Sequence, residues 1–580
     1  MSLSNLLKRN KILAFTIGLL IFVILIPGFF SLSSNLRQIS NQAEDKFTLS
    51  SENNLPQSTS SLGTNLNGIA DWSTQLPFLD AFKSSRQWMT ECVKGDPDCG
   101  EGMGTQEYNL LNLDENGWVK SLPAPEDPPK YTRVSTLLLR EIPNRYPSGQ
   151  YIVLYDGEGT IEYKFDAQKD QAASTPGRDV INVDARKGEG IFITITRTDP
   201  NKTGNYIRNI RVVKSDYEKT FKTEIFNPDF IEKIKRFKVL RFMDWMSTNN
   251  SEQKDWSDRP LPQTVSYALK GVPIEIMVAL SNKVKAAPWF NMPHLATDEY
   301  IMNFAQTVKD SLDKNIEVYV EFSNEVWNWQ FQQAQYALKE GKAKWGEDKG
   351  DAFYQWYGMR TAQMCDIWKS TFGNQKNRVV CVMGTQRVYK ELEKSALECS
   401  YWVAEGNKPC YQHGIDAYAI AGYFSGNLGS PENASTVESW LNDPDGGFGK
   451  ALKQLREGGL LKGDTLPDAY SDFIYHSNVA KQKGLKLVAY EGGQHITGAG
   501  GVENNDKLTN FFIELNRRPE MYDLYTQLLS NWKKAGGTLF MHFVDISRSG
   551  KWGSWGALEY VGQNGSPKYN ALMDFINNNH

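Results

Sequence analysis

From Phe226 to the C-terminus, the sequence alternates between short apolar runs typical of strands and longer stretches with helical periodicity. The strand-like runs lie at 237–243, 272–280, 315–322, 377–384, 415–422, 485–490 and 537–544. An eighth run, "LGTNLNGI" at 62–69, lies far upstream and is followed by the helix-like stretch "LPFLDAFKSSRQWM". Eight parallel strands alternating with helices predict an α/β fold, a closed (β/α)8 TIM barrel, with a doubly wound open sheet as the alternative.

The segment between the first and second of these strands has a different pattern. Short alternating runs such as "YIVLYD" and "GIFITITRT" are separated by Gly, Asp, Asn and Pro, which predicts an all-β module resembling a sandwich. We therefore expect a first β/α unit of the barrel at 61–90, an inserted all-β module at 91–222, and the remainder of the barrel at 223–580.

The N-terminus carries a different signal. Lys8, Arg9 and Lys11 precede an apolar run at 12–32 whose length suits a bilayer crossing better than a cleaved signal peptide. The positive flank predicts a cytoplasmic tail at 1–11, a transmembrane signal anchor at 12–32, and a body in a periplasm or outside the cell. The Ser- and Asn-rich stretch at 33–60 is typical of a flexible linker. We thus expect a single-pass membrane protein.

Export agrees with an even number of cysteines. The simplest arrangement is three disulfides between nearest neighbours, although six cysteines allow about 15 pairings. These pairs are Cys92 with Cys99, Cys365 with Cys381, and Cys399 with Cys410.

Composition disfavours several classes of partner. The 64 Lys and Arg nearly balance 68 Asp and Glu, so a nucleic-acid partner is not expected. The six histidines lack the H-x-x-x-H spacing and the cysteines lack C-x-x-C, so we expect neither a metal nor a cofactor. Aromatic residues make up 12% of the chain, which fits either a large core or stacking on sugars. The oligomeric state stays open.

In a barrel of this class the active site forms at the carboxyl ends of the strands. The residues that follow the predicted strands include Arg241, Asn324, Glu325, Tyr423 and Glu491. Two glutamates at separate strand ends can converge across the barrel mouth, as the acid and the nucleophile of a retaining glycosidase must. Arg241 would keep the nucleophile ionised, and the hydroxyl of Tyr423 could donate to the same carboxylate.

Each of these residues also has a purely structural interpretation. Asn324 could cap the following helix with Glu325 in its first turn, and Arg241 could belong to a structural ion pair. Glu491 could be an ordinary residue before a tight turn. The indoles could serve in packing rather than in sugar binding. They are Trp289, Trp327, Trp329, Trp552 and Trp555.

The segment "VEFSNEVWN" together with "LVAYEGG" resembles the paired motifs of the clan A glycoside hydrolases, retaining barrel enzymes that include many cellulases and mannanases. The resemblance covers residues 62–90 and about 226–580. It implies that Glu325 is the acid/base, that Glu491 is the nucleophile, and that Asn324 contacts the sugar 2-hydroxyl. Clan members often carry a Trp at the end of the eighth strand, whereas here Asp545 stands there and the indoles come later. We expect Trp552 and Trp555, which follow Asp545 closely, to contact the substrate.

The resulting hypothesis is a membrane-anchored retaining glycoside hydrolase that cleaves a β-linked polysaccharide or oligosaccharide with two glutamates. Two alternatives stay open. One is a non-catalytic glycan-binding or assembly protein on a barrel scaffold, and the other is a transglycosylase in polysaccharide export. The sequence does not identify the glycan.

Overall fold

The computed structural model describes residues 60–93, 104–123 and 130–579. The predicted anchor at 12–32 and the tail before it lie outside the described residues. Within those residues, no helix has both the length and the apolar character that a bilayer crossing requires.

Eighteen strands are present in the described part of the chain, one before the inserted module, ten in the module and seven after it. In chain order they are β1 (Ser61–Asn65), β2 (Met89–Glu91), β3 (Asn112–Leu113), β4 (Val119–Ser121), β5 (Arg133–Leu138), β6 (Gly149–Asp156), β7 (Gly159–Phe165), β8 (Ala167–Thr175), β9 (Arg178–Val183), β10 (Ile191–Thr198), β11 (Arg208–Lys214), β12 (Val239–Arg241), β13 (Ala287–Met292), β14 (Val318–Phe322), β15 (Val379–Gly384), β16 (Ala417–Phe424), β17 (Lys486–Gln494) and β18 (Leu539–His542).

Within the described residues, every α-helix follows the module. In chain order they are α1 (Pro228–Ile234), α2 (Ile274–Val284), α3 (Asp298–Ser311), α4 (Gln332–Trp345), α5 (Ala352–Phe372), α6 (Leu392–Glu398), α7 (Ser400–Ala404), α8 (Ala434–Trp440), α9 (Phe448–Glu457), α10 (Leu466–Lys483), α11 (Asp506–Arg517), α12 (Met521–Ala535) and α13 (Pro567–Asn578).

The predicted (β/α)8 barrel is confirmed. β1 and β12 to β18 form a closed sheet in this order, and β18 pairs with β1 in parallel. Every other neighbouring pair that closes this sheet is also parallel, so the carboxyl ends of all eight strands meet at one face. The open-sheet alternative is therefore wrong.

The third barrel strand lies elsewhere than predicted. The run 272–280 forms most of α2, which begins after Pro273 and ends before the left-handed Lys285. A continuous apolar run fits a buried helix as well as a buried strand, and here the helix prevails. The strand is instead "APWFNM", β13, whose six residues are all buried. The helix-like stretch after the first strand contains a 3-10 helix at Ala81–Ser84 rather than an α-helix.

The all-β module consists mainly of two four-stranded sheets, as the sequence predicted. One has the order β2-β5-β10-β7 and the other β11-β6-β9-β8. Buried residues from both sheets, such as Val134, Ile193, Val153 and Val212, share one core cluster. An antiparallel bridge between Phe78 and Phe226 holds the two ends of the insertion together beside the barrel.

Of the predicted disulfides, the Cys399–Cys410 bond is present. Cys365 and Cys381 are free and buried, so the prediction of a bond between them is wrong. Their side chains, one in α5 and the other in β15, are in hydrogen-bond contact, but no S–S bond joins them. Cys92 is disulfide-bonded, whereas Cys99 lies outside the described residues.

Candidate active site

Arg241, the last residue of β12, is fully buried and organises the carboxyl face of the barrel. Its Nη1 donates to Asn65 Oδ1 at 3.0 Å, and its Nη2 donates to Asn324 Oδ1 at 2.9 Å. Its Nη1 also lies 3.5 Å from Glu491 Oε2. One guanidinium thus connects residues from β1, β12 and β17 with the loop after β14. With Glu321, these residues are called the Arg241 network below.

Glu321 in β14 is the closest charged partner of Arg241. Its Oε2 accepts from Arg241 Nη2 at 2.8 Å and from Arg241 Nε at 3.1 Å. The same oxygen accepts from Trp289 Nε1 at 2.9 Å and from Asn291 Nδ2 at 2.8 Å. Arg241 is therefore both a member of a buried structural ion pair and a neighbour of Glu491. Trp289, one of the indoles considered for sugar binding, is fully buried in this cluster.

Asn324 and Glu325 follow β14 in a loop with unusual backbone angles. Ser323 has φ +58° and Glu325 has φ +41°, in the left-handed region that non-glycine residues rarely adopt. The next helix, α4, begins only at Gln332. The helix-cap interpretation is therefore wrong: Asn324 Oδ1 accepts from Arg241, and its Nδ2 donates to Asn249 Oδ1 at 3.1 Å.

The carboxylate of Glu325 is held at both oxygens. Tyr490 Oη donates to Glu325 Oε1 at 2.8 Å, and Asn328 Nδ2 donates to Glu325 Oε2 at 3.0 Å. Tyr490 comes from β17, so the hydrogen bond crosses the barrel mouth between the fourth and seventh strands.

A β-bulge explains how Tyr490 and its neighbour Glu491 reach the same site. In the pairing of β16 with β17, Ile420 faces Ala489 but Ala421 faces Glu491, so Tyr490 is the extra residue. Consecutive residues of a regular strand point to opposite faces, and a bulge breaks this alternation.

Glu491 is 2% exposed, and its Oε2 has no hydrogen-bond partner among the described residues. Burial raises the pKa of Glu491 well above its usual range, and the negative charge of Glu325 raises it further. Arg241 opposes both effects. A buried carboxylate oxygen without a hydrogen bond is costly, so this atom is available to a bound molecule.

Burial also raises the pKa of Glu325, while the hydrogen bonds from Asn328 and Tyr490 and the charge of Arg241 lower it. Because each carboxylate disfavours the ionisation of the other, the two titrate as a pair. Such a pair retains one proton to a higher pH than two isolated glutamates do. One protonated and one ionised carboxyl group in a single site is the combination that acid-assisted bond cleavage needs.

Tyr423 and Trp555 form an aromatic wall beside Glu491. Tyr423 is buried, and burial followed by the charges of Glu491 and Glu325 raises the pKa of its hydroxyl well above the usual value. The Trp555 ring packs against Tyr423 at 6.0 Å and against His495 at 4.9 Å, with ring planes steeply inclined. Trp552 lies three residues before Trp555, and its carbonyl accepts from Trp555 Nε1 at 2.8 Å. Its own ring lies under the Lys551 ammonium, 4.7 Å away.

Two more acidic residues stand at strand ends. Burial raises the pKa of Asp244, just after β12, to about 7, and its negative charge contributes to the raised pKa of Glu491. Burial likewise raises the pKa of Asp545 to about 7, but Asp545 accepts from the Asn67 backbone N–H at 2.9 Å and from Gln75 Nε2 at 2.6 Å. Asp545 thus links the loop after β18 to the loop after β1, whereas Asp244 is partly exposed.

No cluster of three or more His, Cys, Asp or Glu side chains suited to a metal ion occurs in the part of the chain that the structure describes.

The sequence predicted seven site residues, and the structure brings five of them together: Arg241, Asn324, Glu325, Tyr423 and Glu491. Trp555 packs against Tyr423, whereas the contacts of Trp552 are with Trp555 and Lys551.

Sequence reasoning missed Asn65, Glu321, Tyr490 and Asn249, whose amide oxygen accepts from Asn324. Asn65 is the last residue of β1 and could have been found by the rule that identified Arg241. Glu321 lies within β14 rather than after it, so the rule that selects residues at strand ends does not find it.

No protein-family model and no curated protein matches this chain. Solved structures do match. One is a native xylanase 10B from Thermotoga maritima, with 10% identity and a TM-score of 0.33 over 60% of this chain and 89% of that chain. Another is a family 5 xyloglucanase from Paenibacillus pabuli, with 11% identity and a TM-score of 0.35 over 60% of this chain and 90% of that chain.

A third is an exo-β-1,4-mannosidase from Opitutaceae bacterium strain TAV5, with 9% identity and a TM-score of 0.33 over 63% of this chain and 56% of that chain. The fold assignment rests on the closed barrel of the chain itself. The matched structures include glycoside hydrolases, the class of protein that the sequence motifs resemble.

Proposed function

We propose that the protein is a retaining glycoside hydrolase that cleaves a β-linked polysaccharide or oligosaccharide. The observation that carries this proposal is the pair of buried glutamates, Glu325 and Glu491, brought from the fourth and seventh strand ends into one electrostatically coupled site. Arg241 lies 3.5 Å from the second of them.

In the first step, Glu491 attacks the anomeric carbon while Glu325 gives its proton to the leaving oxygen. A bond from a Glu491 oxygen to the sugar forms as the glycosidic bond breaks. In the second step, Glu325 takes a proton from water, the resulting oxygen attacks the same carbon, and Glu491 leaves as a carboxylate. Arg241 favours the charged form of Glu491 at the start and at the end of this cycle.

Asn324 retains one donor for the sugar. An amide nitrogen has two hydrogens, and one of those on Asn324 Nδ2 goes to Asn249. The other has no acceptor among the described residues and can donate to the 2-hydroxyl group next to the reacting carbon, where a hydrogen bond strengthens as positive charge develops on the ring. Arg241 and Asn249 hold the amide in this orientation.

The test uses Glu491→Ala and Glu325→Ala, with Glu514→Ala on the surface as the control. Hydrolysis is measured on carboxymethylcellulose, barley β-glucan, galactomannan and arabinoxylan. Either active-site change is expected to lower kcat by about 10³-fold or more, because each removes a group used in both steps. Azide should then give the inverted glycosyl azide with Glu491→Ala and the retained azide with Glu325→Ala.

Exchanged azide products would reverse the two roles. A wild type that cleaves none of the four polysaccharides would overturn the proposal on these substrates, and glycan binding without cleavage would favour the binding-protein alternative. Lengthened oligosaccharides among the products would identify transglycosylation.

We also propose that residues 12–32 anchor the protein in a membrane, with the body outside the cytoplasm. The apolar run and its positive flank support this, as does the Cys399–Cys410 bond, because disulfides persist in oxidising compartments. Full-length protein should sediment with membranes and resist carbonate extraction, whereas protein lacking residues 1–33 should stay in the supernatant. Equal sedimentation of both would contradict the anchor.

A further inference from the structure

Trp329 is an exposed indole four residues after the proposed acid/base. Its side chain is 49% exposed, whereas Trp327, two residues earlier, is only 6% exposed and belongs to the core. A single exposed apolar side chain is ordinary in proteins, but an indole in the loop after the fourth barrel strand offers a flat apolar surface for contact with a ligand.

The indole is held in place on one side. Its ring packs against Phe353 with the centroids 5.0 Å apart and the planes inclined by 55°. Its neighbour Asn328 donates through Nδ2 to Glu325 Oε2, and the Asn328 backbone N–H donates to the Glu325 carbonyl at 2.8 Å. The loop that carries Trp329 is therefore fastened to Glu325 itself. A ring fixed before binding loses little entropy on contact with a ligand.

A continuous series of aromatic contacts fixes the position of Trp329 relative to the site. Phe353 contacts Tyr354 at 5.5 Å, Tyr354 contacts Trp327 at 5.8 Å, and Trp327 contacts Tyr490 at 6.2 Å. Tyr490 donates to Glu325. The series leads away from Glu325 towards the fifth strand, since Tyr354 Oη donates to Thr385 Oγ1 just after β15. Arg241 and Glu491 are not part of it.

We propose that Trp329 is a stacking platform for a sugar ring of the leaving group. This rests on the proposed function, in which Glu325 protonates the leaving oxygen, so the leaving group must lie next to Glu325. Trp329 follows Glu325 by four residues, so their Cα atoms lie no more than about 14 Å apart. The substrate then carries sugar on both sides of the cleaved bond, as an internal bond of a glycan chain does.

The test compares Trp329→Ala, Trp329→Phe and wild type on two substrates. One is whichever of the four polysaccharides the wild type cleaves. The other is the β-glycosyl fluoride of the sugar that it releases, whose fluoride leaving group cannot stack on an indole. The control is Met302→Ala, because Met302 is 48% exposed but lies in α3 on the outside of the barrel.

Trp329→Ala is expected to lower kcat/KM on the polysaccharide about tenfold and on the fluoride less than twofold. Trp329→Phe should recover most of the loss, and Met302→Ala should change neither. Unchanged polysaccharide cleavage in Trp329→Ala would overturn the platform while leaving the proposed function intact. Equal loss on both substrates would also overturn it, since that pattern indicates a structural role. A wild type inactive on both substrates would overturn the proposed function and the platform with it.

Discussion

The hydroxyl of Tyr490 donates to Glu325 Oε1 at 2.8 Å from the position directly before Glu491. One β-bulge in β17 therefore supplies both the proposed nucleophile and the residue that orients its partner. The backbone at this bulge thus positions both carboxyl groups, that of Glu491 directly and that of Glu325 through the Tyr490 hydroxyl. A substitution of Tyr490 therefore tests how the acid/base is positioned.

Tyr490→Phe should raise the pKa of Glu325, because the lost hydrogen bond stabilises its ionised form. Glu325 would then stay protonated to a higher pH, and the alkaline limb of the kcat/KM profile should move up by about one pH unit. Tyr354→Phe is the matched control, since that buried hydroxyl donates to Thr385 instead. An unmoved alkaline limb in Tyr490→Phe would contradict this role.

Glu321→Ala should destabilise the fold, because Arg241 would keep its buried charge without its closest partner. Breaking a buried ion pair at one side costs about 3–5 kcal/mol. The free energy of unfolding in urea measures the loss. Glu321→Gln keeps an acceptor and should lose less. Glu232→Ala breaks an exposed pair with Lys235 in the surface of α1 and should cost under about 1 kcal/mol. Equal losses for Glu321→Ala and Glu232→Ala would show that the network adds little stability.

Asp244 should make the protein less stable as the pH rises from 4 to 7. Burial raises its pKa in the folded state to about 7, whereas an unfolded aspartate has a pKa of about 3.9. Between these values the folded protein holds a proton that the unfolded chain has lost, so deprotonation favours unfolding. Asp244→Asn should therefore flatten this dependence and raise the free energy of unfolding at pH 8 by about 2 kcal/mol, about half of what the full pKa difference would give, because the Asp244 side chain is partly exposed. The measurement is the unfolding midpoint of wild type and Asp244→Asn across this pH range. The control is Asp310→Asn, which changes an exposed aspartate. Parallel curves for wild type and Asp244→Asn would refute it.

The two free thiols give a prediction that can be tested by chemical labelling, without an assay of enzymatic activity. Cys365 and Cys381 are buried, so a thiol reagent should label neither in the native protein and both after unfolding without reductant. Peptide mass spectrometry identifies the labelled residues. Labelling of Cys399 or Cys410 under these conditions would contradict the bond between them. The double variant Cys399→Ser/Cys410→Ser should lose about 3 kcal/mol of stability, because the bond between residues 11 positions apart restricts the unfolded chain.

The barrel, and the position of Glu325 and Glu491 at the ends of its fourth and seventh strands, could be predicted from the sequence. β14 and β17 are apolar runs that end at polar residues, and parallel strands bring such ends together. The third strand could not be located, because the buried run at 272–280 suits helix and strand alike. β13, by contrast, contains Pro288 and Asn291, which are unfavourable in strands.

The supporting residues of the site were harder to predict. Glu321 lies inside a strand, and no pattern in the sequence distinguishes a carboxylate that meets Arg241 from one that meets solvent. Tyr490 was overlooked because strict alternation would turn it away from Glu491, and a bulge leaves no clear sequence signature. Trp327 and Trp329 look alike in sequence, yet one is core and the other is exposed.

The bridge between Phe78 and Phe226 bears on how the chain folds. Thr64 in β1 pairs with Leu240 in β12, and the whole module lies between them in the chain. Once the module has folded and this bridge has formed, the loop that must close shortens from about 175 residues to fewer than about 30, which lowers the entropic cost of closing it by roughly 2 kcal/mol. A folded module would therefore bring β1 and β12 close together before they pair. Substitutions in the core of the module should slow closure of the barrel, although they lie outside the barrel's own strands.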